Sequence, residues 1–259
     1  MNSSILLKIG GRAFKETRAF AELADAIKCC KSTHITIVHG GGAEITKALE
    51  KANRKAIFVD GIRVTKSEDI KIVEDVLSRN VNERIASLIS DQGVATKRMS
   101  GRTKGLFTVE KMRRNGQDFG FVGNIIDVKP KVVLDSLSKN EVPVISPISE
   151  DNSGNVYNVN ADSAAAALAV SLECTDLVYF TDVPGIKDGN VLYPSLKIRK
   201  AKELIKNRTI TEGMVPKMES AFFALNGGVS RVHIARWDGK ETLENIILSQ
   251  PKTGTAILK

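Results

Sequence analysis

The stretch "HITIVHGGGAEITKALEKA", residues 34–52, joins a strand pattern to a helix pattern through three glycines. The apolar run that ends at Val38 is typical of a buried strand, and Ile45 and Leu49 then recur at the spacing of one helix face. Glycines at such a junction let the backbone turn tightly and approach a ligand closely. This segment therefore predicts one strand–helix unit of an α/β protein.

The same alternation of strands and helices continues along most of the chain. Buried strands are predicted in "SILLKIG", "VPVISPI" and "DLVYFTDV", a hairpin-like segment in "KAIFVDGIRVT", and short strands with glycine turns over residues 94–128. Helical spacing predicts a long helix from a Ser67 cap and further helices in "SLKIRKAKELIKN" and "MVPKMESAFFALNGG". Buried strands separated by helices indicate a mainly parallel sheet covered on both faces.

Composition excludes several classes of protein. The 259 residues carry a net charge of +8, but aromatic residues are only 5% and no base-reading motif accompanies the basic ones, so we expect no nucleic-acid partner. Attraction of small anions is the expected effect of this charge. No run approaches the roughly 20 apolar residues of a membrane helix, and the N-terminus does not resemble a signal peptide. Three cysteines without a metal-binding motif favour a reduced, cytoplasmic location and no protein-bound metal.

Two lysines and one aspartate stand where packing alone does not explain them. Lys8 ends a buried apolar strand, where desolvation of an ammonium group is costly, and Lys217 begins a helix, where the dipole disfavours a cation. Asp162 begins an alanine-rich helix directly after "VYNVN". The simpler alternatives are a lysine that reaches the sheet edge and an aspartate that only caps its helix. We expect instead that both ammonium groups face a phosphoryl group and that Asp162 bridges them.

Glycine loops follow two of the predicted strands, at residues 10–11 and 40–42. Ligands of parallel sheets bind at the carboxyl ends of the strands, and the amides at a helix start bind anions. Either loop alone is most simply a tight turn, but two on one sheet could hold one phosphate between them. Neither loop matches the Walker A motif or the dinucleotide fingerprint, and the protein-kinase motifs are missing.

Seven short motifs, taken in order, resemble the amino acid kinase family and, within it, the branch that phosphorylates N-acetylglutamate. They are "KIGG" (8–11), "VHGGG" (38–42), "FVDGIRVT" (58–65), "GFVGNI" (120–125), "YNVNADSAA" (157–165), "TDVPGI" (181–186) and "EGMVPKMESA" (212–221). The resemblance implies a three-layer α/β/α sandwich. It also implies an N-terminal lobe, residues 1–174, for acyl-amino-acid binding and dimerisation, and a C-terminal lobe, residues 175–259, for ATP.

The family's reaction moves the γ-phosphoryl group of MgATP onto the side-chain carboxylate of N-acetylglutamate in arginine biosynthesis. By resemblance, Lys8 and Lys217 stabilise the transferring group, Asp162 holds both lysines, and Mg²⁺ is carried by the nucleotide. The substrate-binding residues implied in this way are Gly41, Gly42, Arg63, Asn158 and Asn160. Those implied for the nucleotide are Gly10, Gly11, Asp182, Val183, Pro184, Gly185, Ile186, Lys187, Thr209, Ile210 and Thr211.

Two other functions fit parts of this pattern. The first is a family member that acts on glutamate or aminoadipate attached to an acidic carrier protein, which the basic surface would suit. The second is a nucleotide-binding regulatory subunit without catalysis, against which the presence of Lys8, Asp162 and Lys217 argues. Lys66 stands where many relatives have an acidic residue, a departure that concerns the surroundings of Arg63. The chain starts directly at the first strand, whereas arginine-inhibited hexameric relatives carry an extra N-terminal helix. We therefore expect a homodimer that is insensitive to arginine, with the helix from Ser67 at its interface.

Overall fold

A computed structural model describes residues 3–10, 13–14, 16–30, 32–59, 61–114, 116–248 and 253–259 of the chain. Its strands are β1 (Ser3–Ile9), β2 (Thr33–His39), β3 (Ile57–Val59), β4 (Ile62–Val64), β5 (Thr96–Ser100), β6 (Phe107–Arg114), β7 (Gln117–Val128), β8 (Val142–Ser146), β9 (Ile148–Glu150), β10 (Val156–Val159), β11 (Asp176–Thr181), β12 (Lys187–Asp188), β13 (Val191–Leu192), β14 (Ser195–Lys197), β15 (Arg231–Arg236) and β16 (Thr255–Leu258).

The α-helices of the same residues alternate with these strands, as the sequence predicts. They are α1 (Thr17–Cys29), α2 (Gly42–Lys51), α3 (Ile70–Glu74), α4 (Asn82–Ser90), α5 (Lys131–Leu137), α6 (Ala161–Ser171), α7 (Ile198–Lys206), α8 (Met214–Asn226) and α9 (Glu241–Ile247). None of the described helices combines the length and the apolar character that a membrane span requires.

The main sheet has eight strands in the order β14–β16–β15–β11–β1–β2–β8–β5. Every neighbouring pair is parallel except β15 and β16, so the prediction of a mainly parallel sheet is confirmed. Side chains alternate along β1: Leu6 packs in the core that contains α6, α7 and α8, whereas Ile5 and Leu7 pack in the core that contains α1, α4 and α9. The molecule is thus a three-layer α/β/α sandwich.

A second, smaller sheet was not predicted. Strands β6, β7, β9 and β10 pair with one another and close on themselves. The sequence indicated only short strands in the region 94–128, but β7 has twelve residues. β7 pairs with the preceding strand β6 along its length, whereas only Val122 and Gly123 pair with β10. The pairing with β10 closes the sheet, and because β10 is distant in the sequence this pairing leaves no local signal. Strands β9 and β10 of this sheet pair antiparallel across the turn-rich residues 151–155.

Two predicted helices begin later than their patterns suggested. The helix expected from Ser67 begins at Ile70, and Ser67 makes no cap but donates a hydrogen bond to the neighbouring Glu68 carboxylate. In the segment "SLKIRKAKELIKN", residues Ser195–Lys197 form β14 and pair with β16 before α7 begins. In both places tertiary contacts override the helical periodicity that extends beyond the helix.

The long helix is also interrupted by a π-helical stretch, Asp75–Val81, which joins α3 to α4. Leu77 and Val81 of this stretch lie against the glycine loop that follows β2. A Cβ atom at Gly41 would come within 2.7 Å of Leu77 Cδ2 and 3.3 Å of Val81 Cγ2. A side chain at position 41 would therefore force Leu77 to move, so the close packing of the π-helical stretch favours glycine here.

Candidate active site

The carboxyl ends of three adjacent strands form the floor of the candidate site. Strand β1 lies between β2 and β11. β1 leads into Gly10, β2 into the loop of residues 40–42, and β11 into Asp182. Lys8 on β1 pairs in register with Tyr179 on β11, so their side chains emerge side by side on the face covered by α6 and α8. Because the strands are parallel, the residues that follow them gather at one edge of the sheet.

Asn160, and not Asp162, caps helix α6. The Asn160 side-chain oxygen accepts hydrogen bonds from the backbone amides of Asp162 (2.8 Å) and Ser163 (3.1 Å). The simpler alternative, an aspartate that only caps its helix, is therefore wrong. Its carboxylate is left to contact both lysines: Oδ1 lies 2.9 Å from Lys8 Nζ, and Oδ2 accepts a hydrogen bond from Lys217 Nζ at 2.8 Å.

Lys8, Asp162 and Lys217 form a largely buried ion triad with two positive charges and one negative charge. The side chains are 11%, 14% and 9% exposed respectively. Burial opposes ionisation of the Asp162 carboxyl, but the two ammonium groups outweigh it and hold the pKa of Asp162 well below its usual range. Burial also lowers the pKa of Lys217, although the Asp162 carboxylate counteracts this. The triad therefore presents a net positive charge that an anion can neutralise.

On one side of Lys8 lies a cavity of about 210 Å³, which we call the acceptor cavity. It brings together all five residues predicted for substrate binding, along with Lys8 and Asp162; the five are Gly41, Gly42, Arg63, Asn158 and Asn160. Asn158 is held in place because its side-chain amide donates to Thr65 Oγ1 at 3.1 Å. The small volume suits a compact ligand of the size of an acylated amino acid.

Arg63 is buried in the wall of the acceptor cavity. Its Nη2 donates to the Gly42 carbonyl and to Thr46 Oγ1, both at 2.8 Å, and its guanidinium lies 4.6 Å from the centre of the Phe58 ring. Its Nη1 atom is buried without a hydrogen-bond partner among the residues that the structure describes. A buried cationic donor of this kind is suited to a carboxylate ligand.

On the other side of Lys8 lies a larger cleft of about 480 Å³, which we call the nucleotide cleft. Of the residues predicted for the nucleotide, it brings together Gly10, Asp182, Val183 and Thr211, and it also contains Lys8 and Lys217. Gly11 lies outside the described residues. Lys8 therefore borders both cavities, with Lys217 toward the larger one.

The remaining residues predicted for the nucleotide do not line this cleft. Ile186 and Ile210 are buried in the hydrophobic core, and the Ile186 amide donates to Thr255 Oγ1. Lys187 is exposed on the small β12–β13 hairpin. The other three are Pro184, Gly185 and Thr209. A nucleotide role for these six residues stays a prediction.

The chain resembles known proteins over nearly its whole length. The model of the amino acid kinase family matches residues 3–236. The acetylglutamate kinase of Carboxydothermus hydrogenoformans is 38% identical over 245 residues, which cover 89% of this chain and 83% of that protein. The chain belongs to the amino acid kinase family. Another relative, the acetylglutamate kinase of Aquifex aeolicus, is 37% identical over 97% of this chain and 90% of its own.

Solved structures of other proteins share the amino acid kinase fold of this chain. A Streptococcus mutans protein superposes with a TM-score of 0.82 at 26% identity, covering 100% of this chain and 99% of its own. Membership of a kinase family implies the use of ATP. No cluster of three or more His, Cys, Asp or Glu side chains that could hold a metal ion occurs among the described residues.

Sequence reasoning missed three polar residues around the site. Thr46 accepts a hydrogen bond from Arg63, Thr65 accepts one from Asn158, and Tyr179 lies against the ion triad. Thr65 ends a motif that was already quoted, but its contact with β10 depends on the closed sheet. Tyr179 carried a readable signal, because a hydroxyl in an otherwise apolar strand must find a buried partner.

Proposed function

We propose that this chain transfers the γ-phosphoryl group of ATP to the side-chain carboxylate of N-acetyl-L-glutamate, a step of arginine biosynthesis. The observation that carries the proposal is the position of Lys8, which borders both the acceptor cavity and the nucleotide cleft. Phosphoryl transfer requires the nucleophile and the terminal phosphate to meet at one point. The relatives named acetylglutamate kinase support the choice of substrate.

The acceptor cavity offers a complementary group for each end of N-acetylglutamate. The α-carboxylate would take the unpaired Nη1 of Arg63, and the acetamido group would lie beside Asn158 and Asn160. The side-chain carboxylate would then extend toward Lys8 and the amides of Gly41 and Gly42. The amides at the start of α2 have no partners within the helix, so they are available to an anion.

The reaction needs charge neutralisation more than proton transfer. The side-chain carboxylate of N-acetylglutamate has an ordinary pKa near 4.3, so at pH 7 it is already ionised and needs no general base. Its oxygen attacks the γ-phosphorus while the bond from that phosphorus to the ADP oxygen breaks, and no proton moves. Lys8 and Lys217 offset the repulsion between two anions, which is the main electrostatic demand of this step.

The nucleotide cleft fits ATP through the charge of its residues. Two ammonium groups point to the side of the cleft where the phosphates would lie, and Gly10 allows backbone approach. The Asp162 carboxylate is engaged by both lysines and is unsuited to bind a metal. Mg²⁺ would therefore be held by the phosphate oxygens, where it neutralises part of their charge, with few or no ligands from the protein.

The larger organisation belongs to the same proposal. Residues 1–174 would form a lobe for the acyl-amino-acid and for dimerisation, and residues 175–259 a lobe for ATP. The enzyme would act in the cytoplasm as a homodimer with the α3–α4 helix at its interface, and it would be insensitive to arginine. Light scattering that gives a hexamer, or inhibition by millimolar arginine, would contradict this part.

The proposal is tested by trapping the acyl phosphate with hydroxylamine in the presence of MgATP. We expect the hydroxamate with free N-acetylglutamate, and none with glutamate, aspartate or uridine monophosphate. ATP binding without any hydroxamate would instead support the non-catalytic regulatory subunit. A hydroxamate formed only when the amino acid is attached to a carrier protein would favour the carrier-linked reaction, and either outcome would overturn our first choice.

A further inference from the structure

Tyr179 lies beside the ion triad in the middle of the molecule. It is the fourth residue of β11, it pairs in register with Lys8 on β1, and it is fully buried. Residues paired across parallel strands project from the same face of a sheet. Tyr179 and Lys8 therefore leave the sheet together, toward α6 and α8, which carry Asp162 and Lys217.

Tyr179 contacts the other two members of the triad through different parts of its side chain. Its hydroxyl donates a hydrogen bond to the backbone carbonyl of Asp162 at 3.1 Å. Its ring lies under the Lys217 ammonium, with Nζ at 4.9 Å from the ring centre. One side chain thus links the strand of Lys8, the first turn of the Asp162 helix and the charged end of Lys217.

Both contacts are electrostatic, and neither is needed to fill the hydrophobic core. The face of an aromatic ring attracts a cation, and the attraction is strongest where water is excluded. Burial raises the pKa of Tyr179 well above its ordinary value, so the hydroxyl keeps its proton and stays a donor. An aliphatic residue could fill the same space without burying a hydroxyl. The choice of tyrosine therefore needs a reason beyond the core.

We propose that Tyr179 is a positioning residue for phosphoryl transfer: its ring holds the Lys217 ammonium beside Asp162, and its hydroxyl fixes the first turn of α6. The proposal rests on the phosphoryl transfer proposed above. Tyr179 lies beneath the triad and acts on the transferring group only through Lys217 and Asp162. Its removal should therefore affect turnover more than substrate binding.

The protonation of Lys217 gives a second readout. Asp162 on α6 and Asp182 after β11 favour its charged form, whereas burial and Lys8 on β1 oppose it. The Tyr179 ring adds support for the charge from below. Loss of the ring should lower the pKa of Lys217, so the basic limb of the kcat profile should move to lower pH.

The test uses a graded series at position 179. Phenylalanine, 4-fluorophenylalanine and 3,4,5-trifluorophenylalanine keep the ring and its packing while the attraction for a cation weakens stepwise. We expect Tyr179→Phe to keep kcat within about threefold and kcat to fall along the fluorinated series, down to about tenfold for Tyr179→Leu. The KM values for ATP and the acceptor should change by less than about twofold. A kcat that stays flat across the series would overturn the proposal.

A control separates positioning from general loss of a core aromatic. Phe107 is fully buried in β6, where it belongs to the closed sheet, so Phe107→Leu removes a comparable ring without touching the triad. This variant should lose thermal stability but keep the kcat of the wild type and the pH at which kcat falls on the basic side. Equal losses of kcat in Phe107→Leu and Tyr179→Leu, at equal melting temperatures, would show a structural role only.

A measurement without any acceptor keeps this inference independent of the proposed substrate. The ¹³Cε resonance of Lys217 is titrated in the free wild-type protein and in the fluorinated series. A stepwise fall of the Lys217 pKa along the series supports the proposal even if N-acetylglutamate is not the substrate. An unchanged Lys217 titration refutes it even if the hydroxamate assay succeeds.

Discussion

Replacing Asp162 by asparagine tests the electrostatic core of the site directly. The amide keeps the size of the carboxylate and can still accept a hydrogen bond from one lysine. The negative charge between Lys8 and Lys217, which lies 2.9 and 2.8 Å from their ammonium groups, is removed. Two largely buried cations are then left without the anion that balances them.

The size of the effect follows from these distances. Each ammonium nitrogen contacts one carboxylate oxygen, and those oxygens are about 2.2 Å apart, so the nitrogens are separated by about 8 Å at most. At an effective dielectric constant near 20, repulsion over that distance is about 2 kcal/mol or more. Loss of one partner from a buried ion pair costs about 3–5 kcal/mol in other proteins. We therefore expect the free energy of unfolding to fall by about 3–5 kcal/mol at pH 7.

Turnover should fall further than stability alone explains. The protein can relieve the repulsion by releasing a proton from one lysine, which removes a cation needed at the transferring phosphoryl group. A loss of about 3 kcal/mol of transition-state stabilisation lowers kcat at least 100-fold. MgATP, whose phosphates supply the missing negative charge, should bind the variant at least as tightly as it binds the wild type.

Urea unfolding at pH 7 and kcat under saturating substrates measure both effects. Asp176→Asn is the matched control, because Asp176 is also buried and accepts hydrogen bonds from Arg231 (2.7 and 2.9 Å) and contacts His233 Nε2 at 2.8 Å. It lies at the opposite end of β11 from the site, so this control should lose stability and keep kcat. An Asp162→Asn variant with the wild-type urea midpoint and kcat would refute the reasoning.

Three further predictions concern single residues. Lys8→Ala should lower kcat at least 100-fold and change the KM for ATP by less than about fivefold, and steady-state kinetics with an unchanged kcat would remove Lys8 from its role. Arg63→Lys should raise the KM for N-acetylglutamate about tenfold or more and leave the KM for ATP unaltered, since a lysine lacks the planar fork with which Nη2 of Arg63 binds Gly42 and Thr46 while Nη1 faces the ligand; equal changes in both values would contradict this. Burial holds the pKa of His39 at about 4, below the unfolded value near 6.5, so the unfolded chain binds more protons between these pH values. Urea titrations should show that the free energy of unfolding is highest above about pH 6.5 and is lower by up to about 3 kcal/mol at pH 4. His39→Gln should abolish this dependence on pH.

The layers of the fold could be predicted because their signal is local. β1, β2 and β11 are short apolar runs with turn residues after them, and the helices between them repeat apolar residues on one face. The closed sheet of β6, β7, β9 and β10 could not be predicted, since its strands are partly exposed and depend on distant pairing. The π-helical stretch Asp75–Val81 has the apolar periodicity of an α-helix in the sequence, and its wider i→i+5 backbone hydrogen bonding leaves no local signal.

The site itself was partly predictable, because burial of charged side chains costs free energy unless a counter-charge is near. A lysine in a buried strand and a lysine at a helix start each needed a counter-charge, and Asp162 provides it for both. The sequence alone could not exclude capping by Asp162, because asparagine and aspartate are equally good N-caps. The deciding factor is the extended backbone of Asn160, with φ −61° and ψ 125°, which places its side chain over the amides of the first turn.

The net charge of the ion triad explains why a carboxylate belongs in a site for two anions. Two buried ammonium groups without Asp162 would repel each other, and one would lose its proton before the nucleotide arrived. With Asp162 between them, the triad carries a net positive charge, which attracts a bound anion. The negative charge of Asp162 repels both anionic substrates. Its position nevertheless favours the reaction, because it keeps two cations at the point where the acceptor cavity meets the nucleotide cleft.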